Sequence, residues 1–112
     1  MDIDIGSDVI GACKNGGNYE ANVVTIDGST TNNLYTDSNI IRTASFAEDD
    51  STIFFGGNNN KGYFFDGATG HASLMNYTFS SDIISSDFSV DGNYLLIGTE
   101  GGLVYEFAKI CI

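Results

Sequence analysis

The chain comes close to repeating itself every 42 residues. Offset by that length, Tyr35, Thr36 and Ser38 fall on Tyr77, Thr78 and Ser80. Ile41 falls on Ile83, Phe46 on Phe88, Asp49 on Asp91, Gly56 on Gly98, Tyr63 on Tyr105 and Phe65 on Phe107. A period near 40 makes each copy one supersecondary unit that cannot cover its own apolar surface and must stack on its neighbours. Composition says what the unit is made of. There are 8 Phe, 6 Tyr and 14 Gly, with no Trp and no Pro. Phe, Tyr, Ile, Val and Thr suit pleated strands, and frequent Gly, Asn and Asp supply turns. No window carries apolar residues at helical spacing. The chain reads as all-β.

The clearest unit runs from Ile83 to Phe107. Ile83 to Phe88 is its first strand, and Ser89-Val90-Asp91-Gly92-Asn93 is a turn signalled by Asp-Gly. Tyr94 to Thr99 is nearly continuous in apolar residues, as expected of a strand covered on both faces. Glu100-Gly101-Gly102 turns the chain into Leu103 to Phe107. The preceding unit copies this pattern. Its strands are Ile40 to Phe46, Thr52 to Gly57, Gly62 to Phe65 and a fourth over Ser73 to Phe79. Glu48-Asp49-Asp50 and Asn58-Asn59-Asn60 form its turns. The N-terminal third fits as a degenerate copy, with Asp8 to Cys13 as second strand, Ala21 to Ile26 as third and Leu34 to Thr36 in the fourth. Gly11 takes the place of Gly56, and Ile3 and Ile5 form a stub of the first strand.

Two stretches carry a family resemblance. Ile84 to Thr99 reads as an apolar strand, then Phe88-Ser89-Val90-Asp91-Gly92, then a second strand ending in a small residue. Phe65-Asp66-Gly67-Ala68-Thr69-Gly70 follows a third strand. Both resemble repeats of WD40-like and quinoprotein-like β-propellers, although the Trp-Asp dipeptide is absent and Phe65-Asp66 stands nearest to it. The resemblance implies up-and-down four-stranded antiparallel blades of a partial β-propeller. The expected division is one domain over 1–112, with a degenerate blade at 1–37, a blade at 38–80 and an incomplete blade at 81–112. Propellers close with 4–8 blades, and this chain supplies fewer than three complete ones. The expectation is therefore a piece of a longer propeller, or copies that complete the packing.

Charge excludes some functions. Fifteen acids against four bases give a net charge of −11. That repels phosphate backbones and anionic membranes, so neither nucleic acid nor membrane is expected as a partner. The acidic N-terminus lacks the basic and apolar regions of a signal peptide, which favours a cytoplasmic over an extracellular location. Cys13 and Cys111 are read first as two buried thiols, and second as a disulfide tying the ends or joining chains. No catalytic set is legible. His71 is the only histidine and reads as an exposed loop residue, no serine sits in a nucleophile elbow, and no phosphate loop occurs. Asp2 to Asp8 alternates Asp with Ile as a half-buried strand does, ahead of any calcium reading. No cofactor and no metal are expected. Asn76-Tyr77-Thr78 matches a glycosylation acceptor.

The expected function is a non-enzymatic scaffold for protein–protein interaction. Its contacts are expected at one kind of turn, through Asn58, Asn59, Asn60, Glu100 and Gly101, with Tyr19 and Glu20 at the matching place in the first unit. The alternative is a structural subunit of a self-associating, extracellular polymer that is disulfide-linked or glycosylated. A fragment of a quinoprotein-type enzyme ranks third.

Overall fold

Aromatic and β-branched runs separated by Gly, Asn and Asp turns fold into antiparallel strands. The computed structural model describes residues 2–6, 8–68 and 71–108. Among them are strands β1 (Asp2–Ile5), β2 (Val9–Asn15), β3 (Asn18–Val24) and β4 (Thr31–Asp37). Next come β5 (Ile41–Phe46), β6 (Thr52–Gly57), β7 (Lys61–Asp66) and β8 (Ser73–Thr78), and then β9 (Ile83–Phe88), β10 (Tyr94–Thr99) and β11 (Val104–Ala108). They form three sheets in which strands pair in sequence order: β1-β2-β3-β4, β5-β6-β7-β8 and β9-β10-β11. No helix among the described residues is long and apolar enough to cross a membrane.

The second sheet is the middle layer. Strand β6 shows why, because Ile53, Phe54 and Phe55 are successive in sequence and all fully buried. Successive strand residues point to opposite faces, so both faces of this sheet must be covered. Ile53, Phe55, Phe46 and Phe65 pack with Ile10, Ala12, Ala21 and Val23 of the first sheet. Phe54, Phe64 and Phe79 pack with Ile83, Leu95 and Ile97 of the third. Aromatic rings bridge the layers farther out. Tyr35 stacks on Tyr63 with centroids 4.2 Å apart, and Phe107 meets Phe64 edge-on at 5.5 Å. Burial pushes the Tyr35 phenol well above its ordinary range, keeping it protonated and neutral.

The first strand of the middle sheet, β5, meets β1 on one side and β9 on the other. Asp2 Oδ2 accepts from the Ala44 amide at 3.2 Å and Asp4 Oδ2 from the Phe46 amide at 2.8 Å. The other oxygen of each carboxylate accepts from the next amide of its own strand, Ile3 or Ile5, at 2.9 Å. Thus two side chains cap free edge donors on two strands, which would otherwise be unpaired. One layer on, the Thr43 and Ser45 hydroxyls lie 2.7 and 2.6 Å from the Ser86 hydroxyl, and Ser45 donates to the Ser86 carbonyl at 3.0 Å.

Several expectations are corrected here. In the first sheet Asp2 pairs with Ala12 as Thr43 pairs with Gly56 in the second, so Ala12 and not Gly11 takes the Gly56 place. A slip of one residue reverses every face. Accordingly it is Asp2 and Asp4 that turn toward the second sheet, while Ile3 and Ile5 stay 68% and 65% exposed. Leu96 is 49% exposed although Leu95 and Ile97 are buried, so β10 is covered on one face only. Its equivalent Phe54 is fully buried because a third sheet lies over it.

Candidate partner-binding loops

Three hairpin turns share one geometry, built from a short acidic signature. In Thr25–Thr30, Ala47–Thr52 and Ser89–Tyr94 the first amide donates to the last carbonyl, at 2.9, 2.9 and 2.8 Å. The residue after the aspartate takes a left-handed backbone: Gly28 (φ 76°), Asp50 (φ 59°) and Gly92 (φ 75°). Asp27, Asp49 and Asp91 each accept from the amide two residues on and from a neighbouring hydroxyl. These bonds favour the charged carboxylate. The Ser29 amide, then the Ser29 and Thr25 hydroxyls, hold Asp27 down at about 2. The Ser89 hydroxyl, then the Asn93 amide, lower Asp91 as well. A folded value below the unfolded one means the stabilisation is full above the ordinary carboxylate range and is lost as pH falls through the folded value. A carbon-13 NMR titration is expected to show Asp27 titrating about two pH units below a model-peptide aspartate, near 3.9. An ordinary Asp27 midpoint would contradict the turn geometry.

The turns at this end of the sheets carry Asp8, Asp27, Glu48, Asp49, Asp50, Asp66 and Asp91. His71 lies among them and corrects the expectation of an exposed loop residue. It is only 8% exposed, with φ 43°. Its Nδ1 sits 3.0 Å from the Asp66 carbonyl and its Nε2 3.4 Å from Asp8 Oδ2. The imidazole therefore fastens the β1–β2 turn of the first sheet to the β7–β8 turn of the second. Among the described residues no three His, Cys, Asp or Glu side chains cluster as a metal site.

The opposite end carries Lys14, Arg42 and Lys61 as well as acids, and here two of the loops read from the sequence as contact loops, around Asn60 and around Glu100, lie together. Asn60, Ser81, Asp82, Glu100 and Gly101 line a shallow cavity of about 380 Å³ between the second and third sheets. Its walls are fixed by the backbone. The Glu100 amide donates to Asp82 at 2.8 Å, the Gly101 amide to Ser81 Oγ at 3.0 Å, and the Phe79 amide to Asn60 at 2.7 Å. Arg42 reaches Glu100 at 3.6 Å. Asn60 takes a left-handed backbone (φ 63°), which asparagine tolerates better than most residues.

The other expected contact residues have different positions. The Asn59 side-chain Nδ2 donates to Asp37 and to the Tyr63 hydroxyl, so it ties the first sheet to the second. The Asn58 amide donates to Ile40 at 2.8 Å, while its Oδ1 is buried with no hydrogen-bond partner among the described residues. Tyr19 packs against the first core, and Glu20 accepts from Asn15 and Asn22 on the outer face of the first sheet; neither lines the cavity. Ser81 and Asp82 do, and nothing in their sequence spacing marked them. Cys13 is exposed on β2, which corrects its reading as a buried thiol. Cys111 falls outside the described residues, and with it the Cys13–Cys111 disulfide. Asn76 is exposed on β8, where every residue is.

No protein-family model matches this chain, and no curated protein matches it.

Proposed function

We propose that this chain is a non-enzymatic interaction scaffold, three sheets of a β-propeller whose ring is completed by further blades or further copies. The observation that carries the reading is the meeting of β1, β5 and β9. The first strands lie side by side, with Asp2 and Asp4 of β1 reaching β5 and Thr43 and Ser45 of β5 reaching β9. Blades arranged radially about a channel have this pattern. The loops at the mixed-charge end, around Asn60 and Glu100, then supply the contact surface on a rigid base.

The architecture is tested by a crystal structure of the assembled species. A closed ring with β1, β5 and β9 lining a channel is expected, and stacked sheets without a channel would overturn it. The role of the loops is tested by proximity labelling with the wild-type chain and an Asn60→Arg, Glu100→Arg variant. Neighbours labelled by the wild type should be lost with the variant at unchanged assembly state. A labelled set that does not change, or substrate turnover that disappears with His71→Ala, would defeat the scaffold reading.

A further inference from the structure

We infer that the open face of the third sheet docks a second copy of this chain, head to tail, through the exposed side of that copy's β1. The inference rests on the propeller reading and names who completes the ring. It starts from three equivalent pairs of residues. Asp2 and Asp4 pair across their sheet with Ala12 and Ile10; Thr43 and Ser45 with Gly56 and Phe54; Ser85 and Asp87 with Gly98 and Leu96. The first pair reaches the amides of β5 and the second reaches Ser86 of β9. The third pair holds the same place on β9 and faces outward, in front of the open sheet. Asp87 thus offers a carboxylate where Asp4, in the first sheet, accepts an amide of the next first strand.

Packing repeats the same way. At Gly56 an added Cβ would lie 2.7 Å from the Ile83 side chain, so the bare glycine receives a knob from the next sheet. Gly98 is its equivalent, and there a hollow of about 210 Å³ opens beside Ser85, Asp87, Leu96 and Val104. Leu96 and Val104 are 49% and 73% exposed. The complementary half is on the same chain. Ile5 pairs with Val9 as Phe46 pairs with Ile53 and Phe88 with Leu95. Phe46 and Phe88 pack against the sheet before them, whereas Ile5 and Ile3 meet none. One copy therefore carries an apolar sheet face with no first strand over it, around Leu96 and Val104, and a first strand whose outward residues, Ile3 and Ile5, cover no sheet. Two copies joined in both senses leave neither, and they supply six sheets, inside the range in which propellers close.

The test is sedimentation velocity and native mass spectrometry at tens of micromolar, under reducing conditions so that Cys13 cannot link chains. The wild type is expected at twice the chain mass. Leu96→Glu should weaken the pair by about a hundredfold, because it adds a carboxylate beside Asp87 and Glu106, which pair with Leu96 across the same face; Ile5→Lys should weaken it by about tenfold, losing apolar contact while its ammonium faces those two acids. Both positions are exposed within one copy, so amide NMR spectra of the monomers should stay dispersed; Val104→Glu serves as a second variant on the same face. Mixing Leu96→Glu with Ile5→Lys should restore the two-copy species. One junction is then native, and at the other the introduced carboxylate and ammonium meet. A monomeric wild type, an open-ended series of masses, a pair indifferent to Leu96→Glu and Val104→Glu, or no recovery on mixing would each overturn the docking. None of these outcomes bears on the loop-labelling test, and a head-to-tail pair that crystallises without a channel would keep the docking and sink the ring.

Discussion

Phe54→Ala is expected to cost about 3–5 kcal/mol, the usual toll of removing a fully buried aromatic. A domain of this size has only ~5–15 kcal/mol to lose. Phe54 is fully buried at the junction of the second and third sheets, 4.9 Å from the Phe64 ring, with the bare Gly62 beside it. Truncation leaves a void that Gly62, having no side chain, cannot fill. The third sheet shares this one core, so its attachment weakens as well. Urea unfolding should show a large fall in midpoint. The control lies one repeat on. Leu96→Ala occupies the same place in the third sheet but is half exposed, and should cost under about 1 kcal/mol in a monomer. Equal losses at the two positions would mean that the third sheet's outer face is covered within the chain.

Gly57→Ala is the second severe substitution. Its Cβ would stand 2.1 Å from the Ile40 carbonyl oxygen and 2.8 Å from the Ile41 Cα. Those neighbours are backbone, so no rotamer change relieves the overlap, and the strand must shift where β5 leaves its turn. About 3 kcal/mol or more is expected, at the upper end of overpacking costs. Gly11→Ala provides the contrast, since the nearest atom is the Asp2 carbonyl oxygen at an ordinary 3.8 Å. Alanine there should be neutral or stabilise by ~0.5 kcal/mol, by restricting the unfolded chain. Thermal midpoints for the two variants decide it, and a tolerant Gly57 would contradict the close approach.

The 42-residue offset is readable because β9 and β10 keep the six-residue lengths of β5 and β6 and the Ser89–Tyr94 turn keeps the geometry of Ala47–Thr52. Identities at Phe46, Asp49, Gly56 and Tyr63 therefore mark equivalent places in space. The first sheet was harder. Its Asp/Ile alternation gives the period of a strand but not the direction in which the period points, and only the neighbouring β5, with two edge amides to satisfy, turns Asp2 and Asp4 inward. His71 departs from its sequence expectation for a similar reason. Its burial comes from the β1–β2 turn, more than sixty residues earlier, and no local pattern encodes that. Leu96 looked like Phe54 because the strands match; what differs is the absence of a sheet over it. In the contact loops Asn60, Glu100 and Gly101 were legible as turn residues, whereas Ser81 and Asp82 join them only through backbone bonds across the gap between sheets.

Among the described residues every strand pairs only with strands beside it in sequence, and this bears on how the molecule is made. A sheet whose ladders close locally need not await a distant segment, so the first can zip up once residue 37 has left the ribosome. Each later sheet then lands on the face its predecessor has just presented. Order of synthesis and order of stacking coincide, and the growing chain always carries one greasy surface waiting for the next arrival.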